Sequence, residues 1–359
     1  MTMTYDEKYM RRAIQLARNG KIFALPNPMV GAVIVHNDKI IGEGYHRRCG
    51  EGHAEVNAIA SVTQPELLPY STIYVTLEPC SHYGKTPPCA QLIIDKKIPR
   101  VVIGCLDPFE KVSGRGVRML QDAGIEVIHG ILSIECQALN PKFITAHTLR
   151  RPFITLKWAQ SKDGYIDHIR TNETPSAARF STPQTSAIAH KLRATHDAIM
   201  VGSGTIIKDN PTLDCRLWNG NSPIRVILDR NGVIPNNVKV FITNPKSTIY
   251  FTSIKRKDIS EHIIQIIINI DTPLSEIMSI LYRRNITSIL IEGGTTLLQS
   301  AIDENLWDIT RIETAYFSLN KNGAIKAPII KKSIARTTII AENQIDFYIN
   351  NNLVGVKNL

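Results

Sequence analysis

His53-Ala54-Glu55 is followed along the chain by two proline–cysteine pairs, Pro79-Cys80 and Pro88-Cys89. One imidazole and two thiols supply three of the four ligands of a tetrahedral Zn²⁺ centre and leave one position open. A catalytic zinc needs that opening, because water held there ionises near neutral pH. Glu55 stands two residues beyond His53, close enough to reach such a water without ligating. As general base it takes the water's proton and passes it to a departing amine. Each cysteine follows a proline at an expected helix start, where the helix dipole and free N–H groups favour a thiolate. A histidine–glutamate pair with two cysteines downstream is the signature of zinc deaminases acting on bases. In that signature two residues separate the cysteines, whereas here the eight residues of Ser81–Pro88 intervene. A closed structural zinc site would recruit a fourth protein ligand, for which His46 and His82 are the nearby candidates.

The second half has no Gly-x-Gly-x-x-Gly after a strand, and Gly202-Ser-Gly204 is only a fragment of one. Leu290-Ile-Glu-Gly-Gly-Thr-Thr296 is more informative. There an apolar strand runs into two glycines and hydroxyl residues at a helix start, a natural anion cradle for a cofactor pyrophosphate.

The elements that must position these groups alternate. A helix with Asp6 as N-cap is followed by strands Met29–Val35 and Lys39–Tyr45, joined by a hairpin at Asn37-Asp38. A helix opens near His53, then come a strand at Thr72–Leu77, a helix from Cys89 through Lys96 and a strand at Val101–Leu106. Helix Gly116–Asp122 and strand Ile125–His129 complete this half. Cys105 reads as a buried small hydrophobe. A polar, doubly basic break near Ala146–Pro152 separates expected domains at 1–147 and 148–359. Alternation then restarts with strand Phe153–Ala159, helix Gln184–Ala194 and strands Ala198–Gly202, Ile224–Asp229, Thr248–Thr252 and His262–Ile270. Helix Pro273–Arg284, strand Ser288–Ile291, helix Thr295–Ile302 and strand Ile309–Phe317 follow. Strands alternating with helices predict sheets covered by helices on both faces.

The chain's 359 residues, 43% hydrophobic and 21% charged, fit two globular domains and exclude fibrous or wholly disordered classes. No apolar run reaches the roughly 18 residues of a membrane span. The N-terminus lacks an apolar signal core, so the expected compartment is the cytoplasm. The net charge of +10 suits small phosphorylated ligands, nucleic acid, an acidic surface or simple solubility. With 6% aromatic residues and no block of like charge, a base-stacking platform is not expected.

Asn27-Pro-Met-Val-Gly31, His53-Ala-Glu55 and Glu78-Pro-Cys-Ser-His-Tyr-Gly-Lys-Thr-Pro-Pro-Cys89 resemble the bifunctional deaminase–reductases of riboflavin biosynthesis. Asp107-Pro, Gly114-Arg-Gly116 and Ala123-Gly-Ile125 match the same pattern. In the second half so do Lys157–Gly164, Arg193–Gly202, Asp209-Asn-Pro211, Arg225–Asp229 and Glu292-Gly-Gly294. The resemblance implies a cytidine-deaminase-like three-layer α/β/α domain followed by a dihydrofolate-reductase-like α/β domain that uses NADPH. It implies zinc on His53, Cys80 and Cys89, with Glu55 shuttling protons during hydrolysis of the 2-amino group of a diamino-pyrimidinone ribosylamino 5′-phosphate. Asn27 offers an amide to a base edge, His46 follows a strand as a pocket group, and Lys85 with Thr86 offers charge to a phosphate. In the reductase half the resemblance places Ser181, Thr205, Asp209 and Gly294 at the cofactor and Arg193, Arg216 and Glu292 at the phosphosugar. Lys157 either aids proton transfer and sugar orientation or caps a strand edge. Where many relatives carry an aromatic residue, this chain reads Arg179-Phe-Ser-Thr-Pro183, and Asp346-Phe-Tyr-Ile-Asn also departs from the usual ending. The expected partners are small phosphorylated pyrimidines and a second copy of the chain, with neither nucleic acid nor membrane. Two other readings remain at this stage: a tRNA-type zinc deaminase fused to an accessory domain, and a zinc-stabilised interaction module.

Overall fold

A computed structural model of the chain describes residues 3–21, 23–24, 27–83, 87–109, 113–172, 176–320 and 324–350. It divides into two compact units after Arg150.

The first unit holds helices α1 (Tyr5–Ala17), α2 (Ala54–Ala60), α3 (Cys89–Asp95), α4 (Arg115–Asp122), α5 (Ser133–Leu139) and α6 (Pro141–Leu149). Its strands are β1 (Gly31–His36), β2 (Lys39–Tyr45), β3 (Thr72–Leu77), β4 (Arg100–Cys105) and β5 (Glu126–His129), in the order β2-β1-β3-β4-β5. The first three strands pair antiparallel and the last three parallel. Side-chain alternation sorts the core into two layers. Ala32, Ile34, Ile73, Val75, Val101 and Ile103 pack against α2, α3 and α4. Val33, Val35, Tyr74 and Val102 pack against α1 and α5 on the other face. The result is the expected three-layer sandwich.

Close backbone approach seats α2. A Cβ at Gly44 would lie 2.3 Å from the Ala58 nitrogen and 2.5 Å from the Ala54 carbonyl oxygen, so β2 meets α2 through bare backbone. The Asn37-Asp38 hairpin is also as expected, with φ of 46° and 62° in the left-handed region of a type I′ turn. Helix α1 differs from expectation: Thr4 is its N-cap, in a capping box with Glu7, and Asp6 lies inside the first turn. The weakly patterned α5 and α6 give little signal in the sequence. They meet at Asn140, whose φ of −127° and ψ of 52° break the helix before Pro141. The boundary expected at 147/148 therefore falls within α6.

The second unit carries β6 (Phe153–Gln160), β7 (Tyr165–Asp167), α7 (Pro183–Ala194), β8 (Ala198–Gly202), α8 (Ser203–Asp209), β9 (Ile224–Leu228), α9 (Lys239–Ile242), β10 (Thr248–Thr252) and β11 (Ile264–Ile267). Then come α10 (Leu274–Arg283), β12 (Ser288–Glu292), α11 (Thr295–Asp303), β13 (Ile309–Thr314), β14 (Ile325–Lys326), β15 (Arg336–Ile340) and β16 (Asn343–Ile349). The described residues form a nine-stranded sheet in the order β11-β10-β9-β8-β12-β6-β13-β16-β15, with β14 and β7 paired separately. Strands β11 through β13 in that order run parallel, while β16 and β15 pair antiparallel.

Ile154, Leu156, Trp158, Ile289 and Ile291 face α10 and α11. Ile199, Val201, Ile227 and Tyr250 face α8 and α9. The long apolar run His262–Ile270 forms only the short edge strand β11, exposed at both ends. No helix among the described residues is long and apolar enough to cross a membrane.

Candidate functional site

The carboxyl end of β3 runs into Glu78-Pro79-Cys80, α2 begins just after His53, and α3 begins at Cys89. Their side chains meet where the sheet's carboxyl ends open, the usual place for ligands in α/β folds. His53 Nδ1 lies 3.3 Å from Cys89 Sγ and 3.6 Å from Cys80 Sγ. All three donor atoms fall within 4.8 Å of one another, and no fourth His, Cys, Asp or Glu joins them among the described residues. His46 is engaged elsewhere, its Nε2 3.2 Å from Asn27 Nδ2 and its Nδ1 3.2 Å from the Gly52 carbonyl oxygen. His82 is exposed. The donor set therefore fits Zn²⁺ with one position left for solvent.

One local expectation fails. Cys89 opens α3, but Cys80 sits in the loop after β3 and starts no helix. Amides of α3 reach across to it instead: Cys89 N–H donates to Cys80 Sγ at 3.2 Å and Ala90 N–H to the Cys80 carbonyl at 3.2 Å. Hydrogen bonding from the Cys89 thiol, joined by His53, holds Cys80 far below the usual thiol range, at about 4. The same contact pushes Cys89 up.

Glu55, in the first turn of α2, is 3% exposed. Burial, and then the neighbouring Cys80, push its carboxyl up to about 7. It shares a side-chain hydrogen bond with Cys89, so it stands at the donor cluster without being one of the three. Burial also holds His46 below the ordinary histidine value. The Asn27–His46 pair thus lines up beside His53, whose ring is edge-on to His46 at 5.4 Å. Lys85 and Thr86 lie outside the described residues.

Glu78 has a role that its place in the sequence motif does not announce. Its buried carboxylate accepts the N–H groups of Asp107, Gly114, Gly116 and Val117 at 3.0–3.3 Å. This ties the segment leading to Cys80 onto the start of α4. A Cβ at Gly116 would meet the Pro79 carbonyl oxygen at 2.1 Å, so this glycine of the Gly114-Arg-Gly116 motif is a packing requirement for the metal loop. Burial pushes the adjacent Asp107 up to about 7.

In the second unit Ser181, Thr205, Asp209 and Gly294 all line one cavity of about 860 Å³. Gly293 and Gly294, with φ of 85° and 78°, turn the chain from β12 into α11 at its wall. The Gly202-Ser-Gly204 fragment opens α8, which brings Thr205 and Asp209 to the same wall.

The expected substrate group assembles separately. Arg193 donates to both Glu292 oxygens at 3.1 and 2.7 Å and to the Asp214 carbonyl at 3.1 Å. Arg216 pairs with Asp214 on the exposed side, while its backbone N–H donates to His190. Lys157 lies in register with Glu292 on one side and Arg311 on the other, well inside the nine-stranded sheet, so it caps no strand edge. Burial lowers its ammonium pKa against the raising effect of Glu292 and Glu313.

Beneath it, Arg311 reaches Glu313, which accepts from Asn343 at 2.7 Å. The sequence reading passed over Arg311 and Glu313. Their alternation in Ile309-Thr-Arg-Ile-Glu-Thr314 would have marked a polar sheet face.

Residues 3–105 match the cytidine and deoxycytidylate deaminase zinc-binding region, and residues 152–315 match the RibD C-terminal domain. The chain is 39% identical over 312 residues to riboflavin biosynthesis protein RibD of Aquifex aeolicus, covering 86% of each chain. This chain belongs to the RibD family. The Escherichia coli RibD is 37% identical over 325 residues, covering 84% of this chain and 85% of its own. The RibD structure from Acinetobacter baumannii superposes with a TM-score of 0.84 at 32% identity, covering 96% of this chain and 98% of its own. A Thermotoga maritima diaminohydroxyphosphoribosylaminopyrimidine deaminase/5-amino-6-(5-phosphoribosylamino)uracil reductase gives 0.80 at 36% identity, covering 95% and 97%. As a member of that family, the chain is a bifunctional enzyme of riboflavin biosynthesis, with a zinc-binding deaminase region and an NADPH-dependent reductase domain.

Proposed function

We propose that the first unit hydrolyses the 2-amino group of 2,5-diamino-6-ribosylamino-4(3H)-pyrimidinone 5′-phosphate and that the second reduces the ribosyl group of the product to ribityl. The observation that carries this reading is the convergence of His53 Nδ1, Cys80 Sγ and Cys89 Sγ within 4.8 Å beside the buried Glu55. His53, Cys80 and Cys89 hold the metal, which when bound lowers the pKa of a water in its open position. Glu55 would accept a proton from the attacking water as its oxygen adds to C2 and return it to the leaving nitrogen, so that water and amine become carbonyl and ammonia. Asn27, oriented by His46, reads the edge of the base. Lys85 and Thr86 receive the 5′-phosphate.

In the second unit Ser181, Thr205, Asp209 and Gly294 seat the dinucleotide, which supplies the hydride taken up at C1 of the opened ribosylamine. Arg193, Arg216 and Glu292 hold the phosphosugar. Lys157 orients the sugar from the sheet face. The proposed setting is cytoplasmic, with the chain acting as a homo-oligomer on small phosphorylated pyrimidines.

Purified protein given the diamino substrate alone should release ammonia, and NADPH should be consumed only by the deaminated product. NADPH consumption without prior ammonia release would overturn the order, and neither event with the zinc-loaded protein would overturn the substrate.

A further inference from the structure

The cavity that gathers Ser181, Thr205, Asp209 and Gly294 is also lined by three cations, Arg170, Arg179 and Lys208. They differ in how far their charge is committed. Arg170 is engaged throughout: it pairs with Asp167 at 2.8 Å, with Asp209, and with the Lys208 carbonyl at 2.8 Å. Arg179 is exposed, and among the described residues its guanidinium has no ion pair or hydrogen bond. Lys208 is exposed on the last turn of α8 at the end of a long flexible stem.

The backbone on either side of Arg179 is fixed. Ala178 N–H donates to Asp167 at 3.0 Å, and the Phe180 carbonyl accepts from Asn343 Nδ2 at 2.8 Å. The Phe180 ring is buried and stacks on Phe317 at 5.9 Å. Two residues later the Thr182–Thr185 capping box opens α7. The arginine therefore stands on an anchored segment with its fork uncommitted, at the wall of a cavity of about 860 Å³. That volume suits a cofactor. A planar guanidinium held on a rigid base matches phosphate oxygens bidentately, at small entropic cost.

Resting on the reading of this cavity as the dinucleotide site, we propose that Arg179 is a specificity-determining residue that grips a phosphate of the cofactor. The two phosphate sources in such a molecule are the pyrophosphate bridge and the ribose 2′-phosphate.

The test measures Kd for NADPH and for NADH by calorimetry, with no second substrate present, on the wild-type chain, Arg179→Gln and Arg179→Lys. Arg179→Gln should weaken NADPH binding about tenfold, the scale of one exposed charge-assisted contact. Arg179→Lys should recover part of the loss, because the charge returns without the fork. A loss confined to NADPH assigns the contact to the 2′-phosphate, and an equal loss for NADH assigns it to the pyrophosphate. Thermal midpoints check that both variants fold, and Arg179→Lys carries the test should the glutamine variant fail. Unchanged Kd values for both dinucleotides in the folded variants overturn the proposal while leaving the cavity's assignment intact. A wild-type chain that binds neither dinucleotide overturns the assignment of the cavity itself.

Discussion

In the first unit the reactive atoms are gathered within 4.8 Å, on two helix starts and a loop that Glu78 ties to the start of α4 by accepting its backbone N–H groups. In the second, the residues assigned to cofactor line a cavity of about 860 Å³, and the charged groups beside it are occupied mainly with one another. A metal centre demands particular atoms at particular distances, so its side chains cannot be exchanged. A dinucleotide site is built from backbone turns, hydroxyls and shape, for which many sequences suffice. The ion pairs follow a similar division. Arg151 and Asp308 form a bidentate pair inside the second unit, with Asp308 fully buried, whereas Arg100 and Asp6 pair in a partly exposed place in the first.

Four substitutions break or sharpen this contrast. Glu55→Gln should lower the ammonia-release rate by as much as roughly 10⁴-fold, the upper range for a general acid–base. Zinc content by metal analysis should stay at the wild-type level and NADPH oxidation with pre-deaminated substrate should persist. Deamination near the wild-type rate would show that the proton shuttle lies elsewhere.

Asp308→Ala strands Arg151 without its partner and leaves the Ile154 N–H unanswered, since Asp308 accepts from both. Chemical denaturation should show the second unit losing about 3–5 kcal/mol. A smaller change would mean that the pair adds less than its burial suggests.

Gly116→Ala forces a methyl to within 2.1 Å of the Pro79 carbonyl oxygen, a backbone approach that α4 and the metal loop share. It should cost about 2–3 kcal/mol of stability and weaken zinc retention against a chelator, while dinucleotide binding is spared. Equal loss in both units would erase the distinction drawn here.

Asp6→Asn is the mildest. Asp6 accepts from Arg100 at 2.9 Å and from the Tyr74 hydroxyl at 2.9 Å, and the Arg100 bond foremost holds its carboxyl below the usual range. A lowered folded value means that the unfolded chain binds the proton first as pH falls. The stabilisation is therefore complete above the usual aspartate value and disappears as pH drops through the folded one. The variant should lose about 1 kcal/mol at neutral pH and converge with wild type in acid, as thermal melts across pH would record.

The sequence disclosed the first site almost whole. Histidine, glutamate and two cysteines have few other reasons to recur in that pattern, and the strands on either side are short apolar runs, buried almost throughout. It misplaced the source of the thiolate's support, because the amides of Cys89 and Ala90 reach Cys80 across a turn and leave no periodic trace. It missed α5 and α6, whose apolar faces are short, and the antiparallel pair β15 and β16, of which β15 is largely exposed. In the second site Gly293-Gly294 was readable as a turn into a helix. Arg170 and Asn343 were not, since their importance comes from partners distant along the chain.

The stretch Ser81–Pro88 is stitched shut at its base, where Cys89 and Ala90 amides clasp the sulfur and carbonyl of Cys80. Closure of that ring is borne by the flanks, so lengthening or rewriting its crown adds little entropic penalty. Variants differing only between Cys80 and Cys89 would inherit an unaltered metal grip. The protein thereby separates the bonds that hold its metal donors from the chain length between them, which leaves that length open to engineering.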